Sequence, residues 1–404
     1  MPIPTHLPCI SVSVNSDRDS LISQYFSQDM TNLEIISFLA IHHSIYISLS
    51  TLKRSFRKMG LRRRIGQYES REEVIQAISS ELTESGKSLG YRKLWKAIKA
   101  NGIPARRSSV MEILRELDPV GVESRAKKRL RRRIYSVPGP DFLWHLDGHD
   151  KLKPYGFSIH GCIDGFSRRL IWLEVGPTNK RPEVVANYFL EAVTQLNRLP
   201  TRIRSDDGTE NSIIEAIQIC MRADHTDEYA GLGSFIVGSS PNNQRIECFW
   251  SQLAKDRPMW WREFFAELSG MGSLDGGNVL IAQCARFCFM HLIRKDLDDM
   301  AVRWNQHIIA PSRGSTLPRG RPDTLHFIPE LYNSKSYKKF VDISDISEFN
   351  DPTFAIAVAD NEPEFIEFAD TVLAMKGHPN GRPSTIQQAL EIYFLLLDAV
   401  AEFM

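Results

Sequence analysis

The chain has no long apolar run, no paired cysteine spacing and almost no net charge, and each absence removes a class of protein. The longest apolar stretch near the C-terminus, Ile392 to Leu397, is stopped by Asp398. It is too short to cross a bilayer, so no membrane partner is expected. The N-terminus lacks the charged start and apolar segment of a secretory signal, which favours an intracellular protein. Six cysteines, Cys9, Cys162, Cys220, Cys248, Cys284 and Cys288, form no Cys-x-x-Cys pair and have no histidine pair at finger spacing. Reduced thiols follow, with neither a disulfide framework nor a structural zinc. What is present is a globular composition, 42% hydrophobic and 25% charged over 404 residues, long enough for about two to four domains.

The net charge of +1 averages over strong segregation. Residues 1–140 carry 24 Lys and Arg against 13 Asp and Glu, residues 141–340 carry 24 against 24, and residues 341–404 carry 2 against 12. A basic front suits a polyanionic partner, because each neutralised phosphate releases condensed counterions.

That front reads as helices. Leu21, Ile22, Tyr25 and Phe26 share one face of a first, and Thr31 with Glu34 forms a capping box that opens a second. A third runs from Ser50 to Met59 and closes at Gly60, with Lys53, Arg54, Arg57 and Lys58 around a Leu52/Phe56 seam. Three short helices with a basic last member fit a helix-turn-helix unit. A second set follows at about Arg71–Leu82, from Gly90 to Gly102, and from Ser108 to Leu117, with Arg106 and Arg107 at the entry of the last helix. This second unit resembles the segment before the catalytic core in bacterial insertion-sequence transposases of the integrase-like group. The run Arg125 to Arg133, which contains Lys127, Lys128, Arg129, Arg131, Arg132 and Arg133, adds a nucleic-acid contact, a nuclear import signal, or both; a nuclear protein is expected.

Beyond Pro138-Gly139-Pro140 the periodicity changes to strands at Phe142–Leu146, Phe157–Ile163 and Leu170–Val175, the last two joined by an Asp164-Gly165 turn. A helix from Pro182 to Leu196, a strand Arg202–Ser205 and a helix from Asn211 to Met221 complete a mixed sheet flanked by helices. Three acids stand in distinctive settings: Asp147 in Trp-His-Leu-Asp-Gly, Asp206 in Ile-Arg-Ser-Asp-Asp-Gly, and Glu247 in Asn-Asn-Gln-Arg-Ile-Glu. Singly, the first two read as turn residues and the third as a solvated helix position. Together with Cys162-Ile-Asp-Gly-Phe-Ser167, and in this order, they resemble the ribonuclease-H-like catalytic core of retroviral integrases and related transposases, over residues 138–310. A eukaryotic member of that superfamily is the expectation.

The resemblance implies that Asp147, Asp206 and Glu247 are both catalytic residues and metal ligands, with Asp147 shared by two Mg²⁺ or Mn²⁺ ions. It implies DNA end cleavage and strand transfer, with element ends and target DNA as partners and a homo-oligomer as the working form. Asp206 is preferred to Asp207 because the family places its ligand before a small polar residue and Gly. Lys151 is a further candidate for DNA contact, and Asn243, Gln244 and Arg245, about one turn before Glu247, are candidates for orienting its helix, touching phosphate or only capping the helix. Asp150 and Asp164 are expected at the surface or in turns, Trp250, Trp260, Trp261, Phe264 and Phe265 in the core, and Cys284 and Cys288 in buried packing. An alternative is a host-retained, catalytically silent DNA-binding or scaffolding descendant; a nuclease without strand transfer is a third.

Three features depart from the family. Forty residues separate Asp206 from Glu247, more than in viral relatives, which implies an expanded loop around Arg222–Ser234. The viral His/Cys zinc domain is absent, with the tandem helical units expected in its place, and no small basic barrel is readable in the sequence after the core. The expected organisation is a tail over 1–17, a helix-turn-helix unit over 18–66, a second helical unit and basic linker over 67–137, the core over 138–310, and a mainly helical C-terminal region with an acidic tail over 311–404.

Overall fold

The Thr31 hydroxyl accepts the Glu34 N–H at 3.3 Å while the Glu34 carboxylate accepts the Thr31 N–H at 2.6 Å. The capping box therefore forms as the sequence dictates, satisfying backbone donors that a helix start leaves free. In this computed structural model, residues 17–62, 70–83, 89–120, 122, 135–238, 243–254, 257–310, 316–349, 351–378 and 382–402 are described. The Lys127–Arg133 positions lie outside them.

The front comprises α1 (Arg18–Ser27), α2 (Asn32–His43) and α3 (Leu49–Lys58), then α4 (Arg71–Thr83), α5 (Tyr91–Ala100) and α6 (Arg107–Leu117). Gly60 and Gly102 follow α3 and α5 with φ of 69° and 82°, the left-handed stop that glycine takes without steric cost. The second trio has its own core of Val74, Ile78, Leu94, Ile98, Val110 and Ile113. The first shares a cluster with the sheet domain instead: Leu21, Tyr25, Phe38 and Phe56 belong with Trp144, Phe189 and Phe327.

The sheet has order β3-β2-β1-β4-β5. Strands β1 (Leu143–His149), β2 (Ser158–Asp164) and β3 (Leu170–Gly176) run antiparallel, while β4 (Arg202–Ser205) and β5 (Phe235–Val237) run parallel to β1. Both β2 and β3 are buried along their whole length, which explains the nearly continuous apolar run of β3. Helices α7 (Pro182–Leu196) and α8 (Ser212–Met221) link β3 to β4 and β4 to β5, and pack on the face bearing Trp144, Leu146, Trp172 and Ile203. The opposite face, with Ile159, Ile163, Leu173 and Val175, takes α9 (Gln244–Leu253), α10 (Arg257–Gly270) and the long α11 (Val279–Gln306). This is the mixed sheet flanked by helices that the sequence predicts for a ribonuclease-H-like core. Among the described residues no helix is long and apolar enough to cross a membrane.

After the core, α12 (Pro322–Phe327) is buried throughout. It ties the chain together: Asp323 accepts a 2.9 Å ion pair from Arg169 with both side chains inaccessible, and Thr324 donates to Glu34 of α2 at 2.8 Å. The acidic region holds α13 (Ile343–Glu348), α14 (Pro352–Ala357), α15 (Pro363–Met375) and α16 (Ile386–Ala401). Phe365, Leu373, Ile392 and Leu396 bury themselves in the cluster around α11. The tail thus packs through its apolar stripe and leaves most of its acids outward, Asp360 excepted, which pairs with Arg294 of α11 at 2.8 Å.

Candidate active site

Parallel pairing sets Leu143 beside Arg202, Trp144 beside Ile203 and His145 beside Arg204. Two residues further along each chain stand Asp147 and Asp206, on the same face because side chains alternate with period two. Asp206 lies just past β4, half-buried, and accepts a hydrogen bond from the buried Asn211 amide at 3.3 Å. Its neighbour Asp207 is exposed.

Glu247 reaches the same end of the sheet through α9. Asn243, at the N-cap, makes no cap bond; its side-chain N–H donates to the Leu146 carbonyl at 2.8 Å and its oxygen meets His145 Nδ1 at 2.8 Å. With the Asn243 oxygen as acceptor, His145 carries its proton on Nδ1, and Nε2 accepts from the Tyr135 hydroxyl at 2.7 Å. Burial drives the His145 pKa down to about 3, so the ring is neutral and acts as a spacer. The Arg245 guanidinium covers the Tyr135 ring at 3.9 Å. The start of α9 is thereby fixed to β1 beside Asp147, and Glu247, exposed, sits in the first helical turn, where the helix dipole favours a carboxylate.

Trp250, one turn after Glu247, donates its indole N–H to Asp147 Oδ2 at 2.9 Å. It is core, as the sequence suggests, and also a direct partner of the first acid. Burial raises the Asp147 pKa to about 7, and repulsion from Asp206 and Glu247 adds to it against the Trp250 and Gly148 hydrogen bonds. Asp206, after β4, and Glu247, on α9, therefore both lie within electrostatic reach of Asp147 on β1.

Among the described residues the one tight group of possible metal ligands is elsewhere: Asp141, Asp164 and His326, fully buried, with one ligand atom of each within 4.8 Å of the others. Asp141 accepts from Trp144 Nε1 at 3.1 Å, Arg198 at 3.1 Å and Ser336 at 3.3 Å. Asp164 accepts from the Asp141 N–H at 2.8 Å and from the Ser167 N–H and hydroxyl at 2.7 and 2.6 Å. His326 turns Nε2 toward Asp141 at 3.5 Å and Nδ1 toward Asp164 at 4.0 Å, so its ring faces both acids. Burial works to raise the Asp164 pKa, but His326 and Ser167 overcome it and hold it below its ordinary value. Asp164 is thus the last residue of β2 and wholly interior, a correction of the surface or turn expectation with its cause in the donors that α12 and the following Ser167 turn bring.

The predicted DNA-contact side chains divide. Lys53, Arg54, Arg57 and Lys58 are exposed on α3, with Lys58 3.4 Å from Asp19. Arg106, Arg107 and Lys151 are exposed; Arg245 is half-buried over Tyr135. Tyr135 and His145 escaped the sequence reading of the site, although His145 stands inside the Trp-His-Leu-Asp motif. The expanded loop after α8 is ordered by Arg222, whose guanidinium pairs with Asp227 at 2.7 Å, joined by Lys339 at 2.8 Å.

Residues 134–320 match the family model described as integrase core domain. This segment is an integrase core domain. No match is found among curated proteins. The integrase core spans the whole sheet, α9 to α11 and the Asp147, Asp206 and Glu247 positions, and its first residues include Tyr135. Integrase cores are polynucleotidyl transferases that bind DNA and depend on divalent metal.

Proposed function

We propose that this protein cleaves DNA ends and joins them to a target, with Asp147, Asp206 and Glu247 as the catalytic carboxylates. The observation that carries the proposal is their meeting at one end of the sheet, close enough for Asp206 and Glu247 to raise the Asp147 pKa. Three hard oxygen donors that repel one another suit Mg²⁺ or Mn²⁺. Asp147 would be shared by two ions, with Asp206 and Glu247 each completing one site. Such ions, when bound, activate the attacking oxygen and offset charge on the leaving one.

The chain's own part is positional. Asn243 and His145 hold α9 against β1, and Trp250 holds the Asp147 carboxylate. In the first reaction a water oxygen bonds to phosphorus, the P–O bond to the departing strand breaks, and a 3′-hydroxyl is freed. In the second, that 3′-hydroxyl bonds to a target phosphorus and displaces the target's 3′-oxygen, so no covalent protein intermediate is needed. The exposed α3 cations and Arg106 and Arg107 at the α6 start support a DNA-binding role for the front. The expected setting is the nucleus and the expected working form a homo-oligomer, since two ends are joined together.

The test is a strand-transfer assay with the full chain, Mg²⁺ or Mn²⁺, duplexes of randomised ends and a plasmid target, with joined products sequenced. Metal-dependent joining that disappears in Asp147→Asn is expected. Absence of product from wild type with either metal, or undiminished product from Asp147→Asn, overturns the proposal; DNA binding without product instead favours the silent scaffold.

A further inference from the structure

The indole of Trp250 does more than fill the core beneath α9. Only 5% exposed, it lies parallel to His149, with ring centroids 4.8 Å apart and planes at 22°, while its N–H points to Asp147 Oδ2 at 2.9 Å. Directly across the β1–β2 pair from Asp147 stands Gly161. A Cβ at that position would lie 2.8 Å from Trp250 Cη2 and 3.4 Å from Cζ2, so any larger residue would push the indole away from the carboxylate. The contact depends on both residues: the glycine clears a slot on one strand, and the indole entering it reaches the acid on the next.

We propose that Trp250 and Gly161 are a positioning pair that presents Asp147 to a divalent cation, a role that rests on the reading of the trio as cation ligands. The chemistry of the donor supports it. An indole N–H donates and cannot accept, so it never competes as a ligand. It is also neutral: a lysine or arginine in its place would orient the carboxylate equally well but cancel the charge that attracts the cation. With Oδ2 held, Oδ1 is presented in one orientation. Because Trp250 and Glu247 occupy adjacent turns of α9, the same bond fixes the spacing between the first and third acids. Partners of this kind around a metal ligand typically change affinity or activity by about 10–100-fold when removed.

The test uses the full chain as wild type, Trp250→Phe, Gly161→Ala and the double variant. Mn²⁺ binding without DNA is measured by calorimetry, strand transfer as separate kcat and KM for DNA, and folding by thermal melting. Trp250→Phe, which keeps a ring but loses the N–H, is expected to weaken Mn²⁺ binding and lower kcat by about tenfold, with KM for DNA and melting little changed. Gly161→Ala is expected to do the same by displacing the indole. In the double variant the losses do not multiply, since phenylalanine lacks the outer ring that the new methyl meets. Wild-type Mn²⁺ affinity and kcat in Trp250→Phe overturn the pair while leaving the trio standing, as do losses that multiply independently. If Gly161→Ala does not fold, Trp250→Phe decides alone. A wild type that binds no Mn²⁺ overturns the cation reading and the pair with it.

Discussion

The two ends of β1 hold the same residue types in different company. At the entry, Asp141 and Asp164 take hydrogen bonds from Trp144, Arg198, Ser336, Ser167 and the Asp141 backbone, and face His326. At the exit, Asp147 has the Trp250 indole and the Gly148 backbone, and faces two more acids. The difference lies in donors, not in acids. Where several protein N–H and O–H groups meet a buried carboxylate it serves as a structural tie; where like charges gather around one, as they do around Asp147, its pKa rises instead.

The sharpest way to break this comparison is to remove charge at each end. Asp147→Asn, Asp206→Asn or Glu247→Gln is expected to cut strand transfer by roughly 10³-fold, while melting stays level or rises because a repulsion is relieved. Asp164→Ala is expected to cost about 3–5 kcal/mol in denaturant unfolding, since it strands the Ser167 and Asp141 donors in the interior. Equal stability losses at both ends would end the distinction. Next comes the front: replacing Lys53, Arg54, Arg57 and Lys58 by alanine in the full chain is expected to flatten the slope of log affinity for DNA against log salt by up to about 3–4. An unchanged slope would move DNA binding elsewhere.

Glu174, on β3, offers an intermediate case and the smallest effect. Burial raises its pKa to about 8, with repulsion from Asp298 and Glu191 only partly countered by Arg294. The folded state then holds a proton that the unfolded chain releases near its ordinary 4.5, so stability is full below that pH and falls as pH rises toward 8. Glu174→Gln is expected to remove this slope and to be more stable at pH 8 by about 1–2 kcal/mol; parallel pH profiles of unfolding would refute the assignment.

Much of the core was legible because its signals are local. The strand runs, the Thr31–Glu34 box and the glycine stops after α3 and α5 each depend on neighbours in sequence. The acidic region was legible only in its last helix; α13 to α15 are short or owe their place to α11, which sequence proximity does not reveal. Asp164 looked like a surface turn because the residue that encloses it, His326, lies on α12, far along the chain. Trp250 looked like plain core because its N–H partner Asp147 comes from a strand 103 residues earlier.

The sequence by itself determined the acids, their order and the helices and strands that carry them, because periodicity, caps and turn residues act over a few positions. Only the tertiary structure decided which acids would be tied into the interior by protein donors and which would face one another at the exit of β1. That outcome depends on where donors such as Ser167, Arg198, Asn243 and Trp250 arrive, and hydrogen bonds of this length require contact that folding alone supplies.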